Sequence, residues 1–319
     1  MRVFVTGGSG FVGRALVAAL AARGDQPVAL TRSATRARAR LPDGIELVEG
    51  DPTGPGDWQK ALRGTDAVIN LAGESLGAQR WNAQIKQQIH DSRVESTRFV
   101  VEGIASLADD DRPRVLVSAS GIDYYPFSLD LGRATKWDED DEVDERVPRG
   151  DHFLGRVCAN WEAEARQALA LGCRVVLMRS AIVLGHGGPL EVMSKPFRYF
   201  VGGRLGSGNQ WMCWIHLDDA VRGYLFALDT PALSGPVNLT SPNPVHNRDF
   251  AKSLGRHLHR PSIMPAPGFA VRAVAGEFAD YILNGRRAVP RALGDAGFTF
   301  DHPELDPALD AALAETRSS

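Results

Sequence analysis

A glycine-rich turn near the start of the chain, residues 6–13 (Thr-Gly-Gly-Ser-Gly-Phe-Val-Gly), constrains the fold more than any other segment. It follows a short apolar run at residues 3–5 and leads into a helix-like stretch at residues 11–23. Its glycines fit two frames, G-x-G-x-x-G from residue 8 and G-x-x-G-x-x-G from residue 7. Glycine tolerates positive φ and leaves room for a phosphate against the backbone, and the helix N-terminus behind it attracts anions. A strand, a glycine turn and a helix in this order predict a dinucleotide-binding site.

Short apolar runs alternate with helical patterns along the first 184 residues. This alternation predicts an α/β fold with a doubly wound parallel sheet of the Rossmann type. The predicted strands are residues 3–5, 28–31, 46–48, 67–71, 115–118 and 174–178. The predicted helices between them are residues 15–22, 58–62, 85–107 and 161–171.

The pattern changes twice after residue 184. A glycine- and proline-rich stretch comes first, and residues 237–239 with the helical segments around them look like parts of a second lobe. From residue 260, three prolines lead into helical patterns at 269–283 and 305–316. We therefore predict a Rossmann domain over 1–184, a smaller substrate lobe packed on it over 185–259, and a helical C-terminal domain over 260–319.

Composition excludes several classes of protein. A hydrophobic content of 44% and a net charge of -3 are ordinary for a globular protein and give no reason to expect a nucleic-acid partner. The three cysteines have neither disulfide nor metal spacing, so we predict no metal site. No apolar run approaches the roughly 18 residues of a membrane helix, and no signal peptide precedes the first strand. We expect a cytoplasmic protein, or a matrix or stromal one if a transit peptide has been removed, with a homodimer left open.

Residues 138–145 are acidic at seven of eight positions. Such a run repels itself, and a solvated loop is favoured over a cation or partner site.

The end of the second predicted strand indicates which dinucleotide is bound. An acidic side chain there would hold the 2′-hydroxyl of NAD. This chain has Thr31 and Arg32 instead, and a guanidinium binds a 2′-phosphate through paired, charge-assisted hydrogen bonds. We therefore predict NADP(H), with Arg32 and also Arg36 on the phosphate. The alternative is that these arginines form a basic, solvated helix face.

Other strand ends complete the predicted cofactor site. Asp51 is placed to meet the adenine, although an aspartate there could merely cap a turn. After the fourth strand the backbone comes close to the cofactor at another glycine. The predicted cofactor-binding residues are Gly7, Ser9, Gly10, Phe11, Val12, Gly13, Thr31, Arg32, Asp51, Leu71, Ala72, Gly73 and Ser118.

Several phrases together resemble the extended short-chain dehydrogenase/reductase (SDR) superfamily, which includes nucleotide-sugar epimerases. They are the glycine turn, Gly50-Asp51, residues 70–73 and residues 117–120. A narrower resemblance is to its atypical branch of epimerase-family, NAD-dependent epimerase/dehydratase-like oxidoreductases, sometimes labelled cell-division inhibitor homologues. It is carried by Ser118-Ala119-Ser120 with Tyr124-Tyr125, Trp161-Glu162, residues 206–212, Trp214-Ile215-His216 with Asp218-Asp219, and residues 235–240. Gly276-Glu277 and residues 297–300 resemble the C-terminal domain of that branch.

The resemblance also exposes a loss. Standard members use a Tyr-x-x-x-Lys pair, whose tyrosine exchanges a proton with the substrate oxygen and whose lysine lowers the tyrosine pKa and holds the nicotinamide ribose. None of the five tyrosines here is followed by a lysine four positions later. When Glu162 is aligned with the glutamate that follows the pair, Leu154 and Cys158 stand in the two positions.

Replacements are expected on the loop after the fifth strand. Ser120 matches the superfamily serine that binds the substrate oxygen, and Tyr124 or Tyr125 could donate a proton from the same loop. The alternative is that these tyrosines serve packing.

Three further residues are candidates for the substrate pocket. Cys158 could be a reactive thiol or an inert small apolar residue. His216 could act as a base or serve as a structural residue beside Asp218. Trp211 could form an apolar wall over a ligand or belong to the core.

Three functions remain open from the sequence. The first is an NADP-dependent oxidoreductase that acts on a small carbonyl or nucleotide-linked substrate between the Rossmann domain and residues 185–240. The second is a catalytically silent NADPH sensor or partner-binding protein. The third is a nucleotide-sugar epimerase, as the superfamily label implies.

Overall fold

The computed structural model describes residues 1–77, 79–127 and 141–317. The strands are β1 (Arg2–Thr6), β2 (Gln26–Thr31), β3 (Glu46–Glu49), β4 (Ala67–Asn70), β5 (Val115–Gly121), β6 (Glu142–Val143), β7 (Arg174–Ser180), β8 (Ile182–Leu184), β9 (Trp211–Met212), β10 (Trp214–His216), β11 (Gly235–Leu239), β12 (Val245–His246) and β13 (Arg287–Ala288). The α-helices are α1 (Phe11–Ala22), α2 (Ala34–Arg38), α3 (Ala83–Ala105), α4 (Phe153–Arg166), α5 (Pro189–Arg198), α6 (Leu217–Asp229), α7 (Asn247–His257), α8 (Gly268–Ala275), α9 (Ala279–Leu283), α10 (Arg291–Asp295) and α11 (Leu305–Arg317).

Seven parallel strands form the central sheet in the order β3-β2-β1-β4-β5-β7-β11. The strand order reverses between β1 and β4, and ligands of such sheets bind at the carboxyl edge beside this switch point. The doubly wound Rossmann-type fold predicted from the sequence is confirmed, and each of the six predicted strands is present.

Side chains alternate along each strand, so apolar residues point to both faces of the sheet, and helices cover both faces. Val5 joins the cluster that contains Leu16 of α1, whereas the adjacent Phe4 joins the cluster that contains Val100 of α3. All four side chains are fully buried. Burial of each contributes about 1.5–3 kcal/mol, so the packing of α1 and α3 fixes the sheet edge where the site lies.

One strand differs from its expected place. Residues 237–239, assigned above to a second lobe, belong to β11, which pairs with β7 at the edge of the central sheet. Sequence pattern alone cannot show which strand a segment pairs with after a long excursion of the chain. The domain boundaries drawn from the sequence stay a prediction.

The C-terminal region is helical, as expected, and reaches back to the Rossmann part. β13 pairs with β6, and α11 packs with α7 on a separate apolar cluster. Of the acidic run, residues 138–140 lie outside the described residues. Of the rest, Asp141 and Glu142 are exposed, but Asp144 is buried and its carboxylate is bound by Arg291 of α10 at 3.0 Å, so the expectation of a solvated loop is wrong for Asp144. No helix in the described part of the chain is both long and apolar enough to cross a membrane.

Candidate active site

The glycine turn is held tightly between β1, β4 and α1. Gly7 has φ +65°, and a Cβ atom there would lie 2.9 Å from the carbonyl of Leu71. A Cβ atom on Gly13 would overlap the carbonyl oxygen of Gly7, which accepts a 2.9 Å hydrogen bond from Gly10 N–H. The structure therefore requires glycine in the frame that begins at residue 7. Gly8 is needed for packing, because its Cβ would lie 3.1 Å from that of Ala29.

The N-terminus of α1 has the character of an anion site. Gly10 is its N-cap and supplies no side chain, and no acidic residue occupies the first turn. Ser9, Phe11 and Val12 lie in the turn and at the start of α1, all partly exposed. The ring of Phe11 packs against Gly188, where a Cβ atom would overlap it. The Gly10 N–H is bonded to Gly7, but the first N–H groups of a helix have no partner within the helix, so those at the start of α1 can serve a phosphate.

A buried hydrogen-bond network joins the ends of β1 and β4. The Thr6 hydroxyl donates to Asn70 Oδ1 at 2.5 Å and accepts from the backbone N–H of Leu71 and Ala72 at 3.1 and 3.2 Å. Asn70 in turn donates to Thr97 of α3 at 2.7 Å. These bonds fix the backbone of residues 71–73 beside the glycine turn, at the predicted cofactor contact.

Cationic side chains follow β2. Arg32 is 67% exposed, with Nη1 3.3 Å from the carboxylate of Glu74, and Arg36 is exposed one turn into α2. The hydroxyl of Thr31 donates to the carbonyl of Ser33, which itself caps α2. Exposed ion pairs of this kind contribute less than about 1 kcal/mol, so Arg32 can leave Glu74 for a bound phosphate.

Asp51 caps a turn after β3, as the alternative interpretation held. Its Oδ1 accepts from the backbone N–H and the hydroxyl of Thr53 at 2.9 and 2.7 Å. Partial burial alone would raise the pKa of Asp51, but the bonds from Thr53 and the charge of Arg32 bring it below the usual value. Contact with the adenine stays a prediction.

Ser120 opens onto a buried ionic network. Its hydroxyl donates to Glu162 Oε1 at 2.9 Å, and the same carboxylate is bound by Arg179 through Nε and Nη2 at 2.7 and 2.9 Å. Glu162 and Arg179 are each 2% exposed. Because its proton is committed to Glu162, Ser120 offers a ligand only its oxygen lone pairs. Ser118 is fully buried within β5, three residues before the strand ends, and its contact with the cofactor stays a prediction.

The two adjacent tyrosines have different roles. Tyr125 is 0% exposed, donates to Asn238 Oδ1 at 2.6 Å and accepts from Arg179 Nη1 at 2.8 Å. Burial raises the pKa of Tyr125 far above its usual value. The ring of Tyr124 is partly exposed and lies 3.5 Å from Cζ of Arg179. The burial of Tyr125 does not support the catalytic role predicted for it, and Tyr124 is the one that a ligand could reach.

The two positions at which the superfamily has its Tyr-x-x-x-Lys pair are occupied here by apolar side chains. Leu154 and Cys158 are both buried on α4, and the Cys158 sulfur packs against Gly121. Burial raises the pKa of Cys158 to about 12. The thiol therefore stays protonated near neutral pH, which is the inert interpretation of this residue.

Arg93 of α3 is a candidate that the sequence did not reveal. Its side chain lies against Gly73, donates to the carbonyl of Glu74 at 2.8 Å, and holds Cζ 5.5 Å from the ring of Trp161. Burial lowers the pKa of Arg93, and charge interactions, with Cys158 foremost, oppose this effect. Among the described residues no carboxylate lies within 4 Å of it. The sequence pattern of a long amphipathic helix predicts that an arginine on it is solvated. The position of Arg93 beside the end of β4 was therefore not predictable.

The C-terminal region contributes a hydroxyl at the start of α4. The oxygen of Tyr281 accepts from the backbone N–H of Leu154 at 3.1 Å and lies 3.3 Å from His152 Nδ1. His152 Nε2 faces the carbonyl of Tyr125 at 2.9 Å, so Nε2 carries the proton and Nδ1 accepts. Burial raises the pKa of Tyr281 to about 12.

A second contribution of the C-terminal region is Arg286. This buried residue lies 3.1 Å from the carboxylate of Asp123 and donates to the carbonyl of Ile122. Its Nε is buried and has no partner among the described residues. The loop after β5 thus faces charged groups that come from more than 150 positions away in the chain.

His216 and Trp211, two of the predicted substrate-pocket residues, contact other side chains. His216 is buried and accepts the N–H of Asp218 at its Nδ1 (3.2 Å) to cap α6, and its ring lies against that of His302, with 4.0 Å between the centroids. Burial lowers the pKa of His216. Its ring, Asp218 and His302 offer ligand atoms within 4.8 Å of one another, although the Nδ1 lone pair already serves the cap. Trp211 is half-buried, and its ring packs at a tilt against that of His246, with 4.0 Å between the centroids.

The parallel sheet and the glycine turn define a protein of the short-chain dehydrogenase/reductase class. The model of the NAD dependent epimerase/dehydratase family matches residues 3–239, and the chain belongs to this family. A second model, a domain of unknown function (DUF1731), matches residues 266–312. The resemblance stated from the sequence, including the C-terminal domain, is confirmed.

Individual relatives match nearly end to end. The epimerase family protein Mb2239 of Mycobacterium bovis is 40% identical over 312 residues, which are 97% of this chain and 97% of that protein. The chloroplastic epimerase family protein SDR39U1 homolog of Arabidopsis thaliana is 39% identical over 318 residues, 98% of this chain and 87% of that protein. A crystal structure of human epimerase family protein SDR39U1 (isoform 2) with NADPH has a TM-score of 0.84 at 32% identity, covering 98% of this chain and 99% of that one.

Proposed function

We propose that the chain is an NADP(H)-dependent oxidoreductase that acts on a small carbonyl or nucleotide-linked compound. The observation that carries the proposal is the cationic end of β2, where Arg32 and Arg36 stand exposed behind a glycine turn. The crystal structure of the human relative with NADPH supports the choice of cofactor.

The residues present fit this cofactor. The N-terminus of α1 and the turn at residues 7–13, in which Cβ atoms on Gly7 and Gly13 have no room, would hold the pyrophosphate. Arg32 and Arg36 would hold the 2′-phosphate. A bound NADPH would supply a hydride to a carbonyl carbon.

A carbonyl oxygen that receives a hydride on its carbon also needs a proton. Tyr124 is the donor we propose, because its ring is partly exposed on the loop after β5. Ser120 would orient the substrate through its oxygen lone pairs, since its proton goes to Glu162. Arg93 would supply positive charge near the position of the missing lysine, where Cys158 stands.

Cofactor choice is tested by titrating the purified protein with NADPH and NADH. We expect NADPH to bind at least tenfold more tightly, because a phosphate held by two arginines gains charge-assisted hydrogen bonds of about 1.5–3 kcal/mol each. Arg32→Ala should reduce the preference, and Arg38→Ala, the matched control at the end of α2, should leave it. Equal binding of both cofactors by the unaltered protein would contradict the proposal.

A catalytically silent NADPH sensor is the second candidate, and the apolar character of Leu154 and Cys158 favours it. NADPH oxidation measured against a panel of carbonyl compounds and nucleotide sugars separates the two functions. Turnover that falls in Tyr124→Phe and Ser120→Ala supports the enzyme. Tight NADPH binding with no turnover, unchanged by Ser120→Ala, supports the sensor. Interconversion of a nucleotide sugar without net cofactor oxidation would indicate an epimerase.

A further inference from the structure

A second concave site shares no lining residue with the candidate active site. Three segments form it: the loop at residues 203–208, helix α7, and the loop at residues 260–265. Its cavity of about 560 Å³ lies within the size range of small-molecule sites. We call it the basic groove, and its lining consists of Arg204, Arg248, Lys252, Arg260, Ser262, Ile263 and Pro265.

The groove concentrates positive charge in a chain whose net charge is -3. Four of its seven lining residues are cations, and none is acidic. Among the described residues no carboxylate lies within 4 Å of Arg204, Lys252 or Arg260, and Arg248 has only Asp249 at 3.8 Å. Arg248 and Lys252 also stand one turn apart on the same face of α7, where like charges weaken a helix. The cluster is therefore a cost to the fold that the single, long ion pair of Arg248 with Asp249 relieves only in part.

Glycines allow the cationic segments to approach. Gly208 has φ +75°, and a Cβ atom there would lie 3.0 Å from side-chain carbons of both Arg204 and Arg248. A Cβ atom on Gly203 would overlap the carbonyl oxygen of Met264. Backbone hydrogen bonds of 2.9 Å, one of them from Arg248 N–H to the carbonyl of Gly208, fix the arrangement.

The fourth cation is held by strained backbone. Phe200 and His259 have φ of 62° and 52°, a region that non-glycine residues rarely occupy. Arg260 follows His259 directly, and its Cζ lies 4.7 Å from the ring centroid of Phe200. A Cβ atom on Gly255 would lie 2.9 Å from the carbonyl oxygen of Arg260, so α7 and this loop pack closely. Strain of this kind persists where the surrounding structure fixes it, and it gathers at ligand sites.

We propose that the basic groove binds a small ligand that carries two or more linked phosphate groups. The guanidinium groups of the three arginines each donate through Nη1 to a neighbouring loop oxygen, and their other planar N–H donors match phosphate oxygens. Lys252 adds a point charge. Four cations balance the three to four negative charges of a diphosphate or triphosphate, whereas a single carboxylate would leave most of them unpaired. Ile263 and Pro265 give the rest of the ligand an apolar contact.

Calorimetric titration of the full chain with inorganic tripolyphosphate tests the proposal, both without cofactor and with excess NADPH. We expect a binding event that persists when excess NADPH fills the cofactor site, because the groove shares no residue with the glycine turn. The double variant Arg248→Ala/Lys252→Ala should weaken it at least tenfold. Lys60→Ala/Arg63→Ala removes the same two charges from positions that are 81% and 70% exposed, and it should change affinity less than twofold.

Other outcomes would overturn the proposal. They are absence of binding, competition by NADPH, equal loss in both double variants, or equal affinity for citrate, which would indicate a response to charge alone. ADP that binds more tightly than inorganic pyrophosphate would support a nucleotide as the form of the phosphate ligand. Circular dichroism of both double variants shows whether they remain folded, and the single variant Lys252→Ala repeats the test if the double variant does not.

Discussion

The two ends of the candidate active site are built in different ways. The end beside β1 and β2 relies mainly on the backbone and the glycines of residues 7–13, which the buried bonds of Thr6 with residues 70–72 hold in place. The end beside β5 uses side chains from α3, α4, β7 and the C-terminal region, joined by buried charges and hydrogen bonds. The first construction tolerates almost no added atom, whereas the second depends on every partner of a network being present.

Breaking the buried network should produce the largest effect on stability. Glu162→Gln removes the charge that pairs with Arg179, and an uncompensated buried charge costs about 3–5 kcal/mol. The free energy of unfolding in urea measures this loss. Glu46→Gln, which breaks an exposed pair with Arg2 at 2.9 Å, is the matched control and should cost less than about 1 kcal/mol. Similar losses in both variants would remove the distinction between the two ends.

The next largest effect is expected when one methyl group is added to the glycine turn, and it should fall on NADPH affinity. Gly13→Ala places a Cβ atom against the carbonyl oxygen of Gly7, so the turn must shift away from the position that receives the pyrophosphate. We expect NADPH affinity to fall about 100-fold, in line with about 2.7 kcal/mol for a misplaced anion site. Fluorescence titration with NADPH measures it.

Gly294→Ala in α10 is the control for Gly13→Ala, because a Cβ atom there meets nothing within 4 Å. Alanine is favoured over glycine in a helix by up to about 1 kcal/mol, so this variant should be slightly stabilised and bind NADPH normally. A Gly13→Ala protein that binds NADPH as well as Gly294→Ala does would contradict the tight fit of the turn.

The contrast explains what the sequence could predict. A glycine turn between a strand and a helix carries its geometry within a few residues, so the fold, the turn and Arg32 follow from local pattern. The β5 end depends on contacts such as Leu154 with Tyr281, which are 127 positions apart. Even the start of α4 was missed, because its cap is a histidine, His152, whose Nδ1 accepts Gly155 N–H. Local chemistry does not reveal a partner that only folding brings near.

The interior character of the β5 end also predicts a smaller, pH-dependent effect. Burial raises the pKa of Cys158 from 9.0 to about 12, so between these values the folded chain keeps a proton that the unfolded chain releases. Stability from this group is therefore complete below pH 9 and falls as pH rises. At pH 9.5 the loss relative to pH 7 is about 0.8 kcal/mol. Cys158→Ala should lack this part of the decline, which urea unfolding of both proteins at pH 7 and 9.5 measures.

Alkylation provides an independent check on the same thiol. Thiolate is the reactive form, so native protein should react with iodoacetamide at Cys158 far more slowly than urea-unfolded protein at pH 8. Cys213, whose pKa burial raises to about 11, is the internal comparison and should be protected in the same way. Rapid labelling of Cys158 alone in the native protein would show that the position of the missing lysine is open to solvent and holds a reactive thiol. The β5 end would then be a site of covalent chemistry and not a closed network.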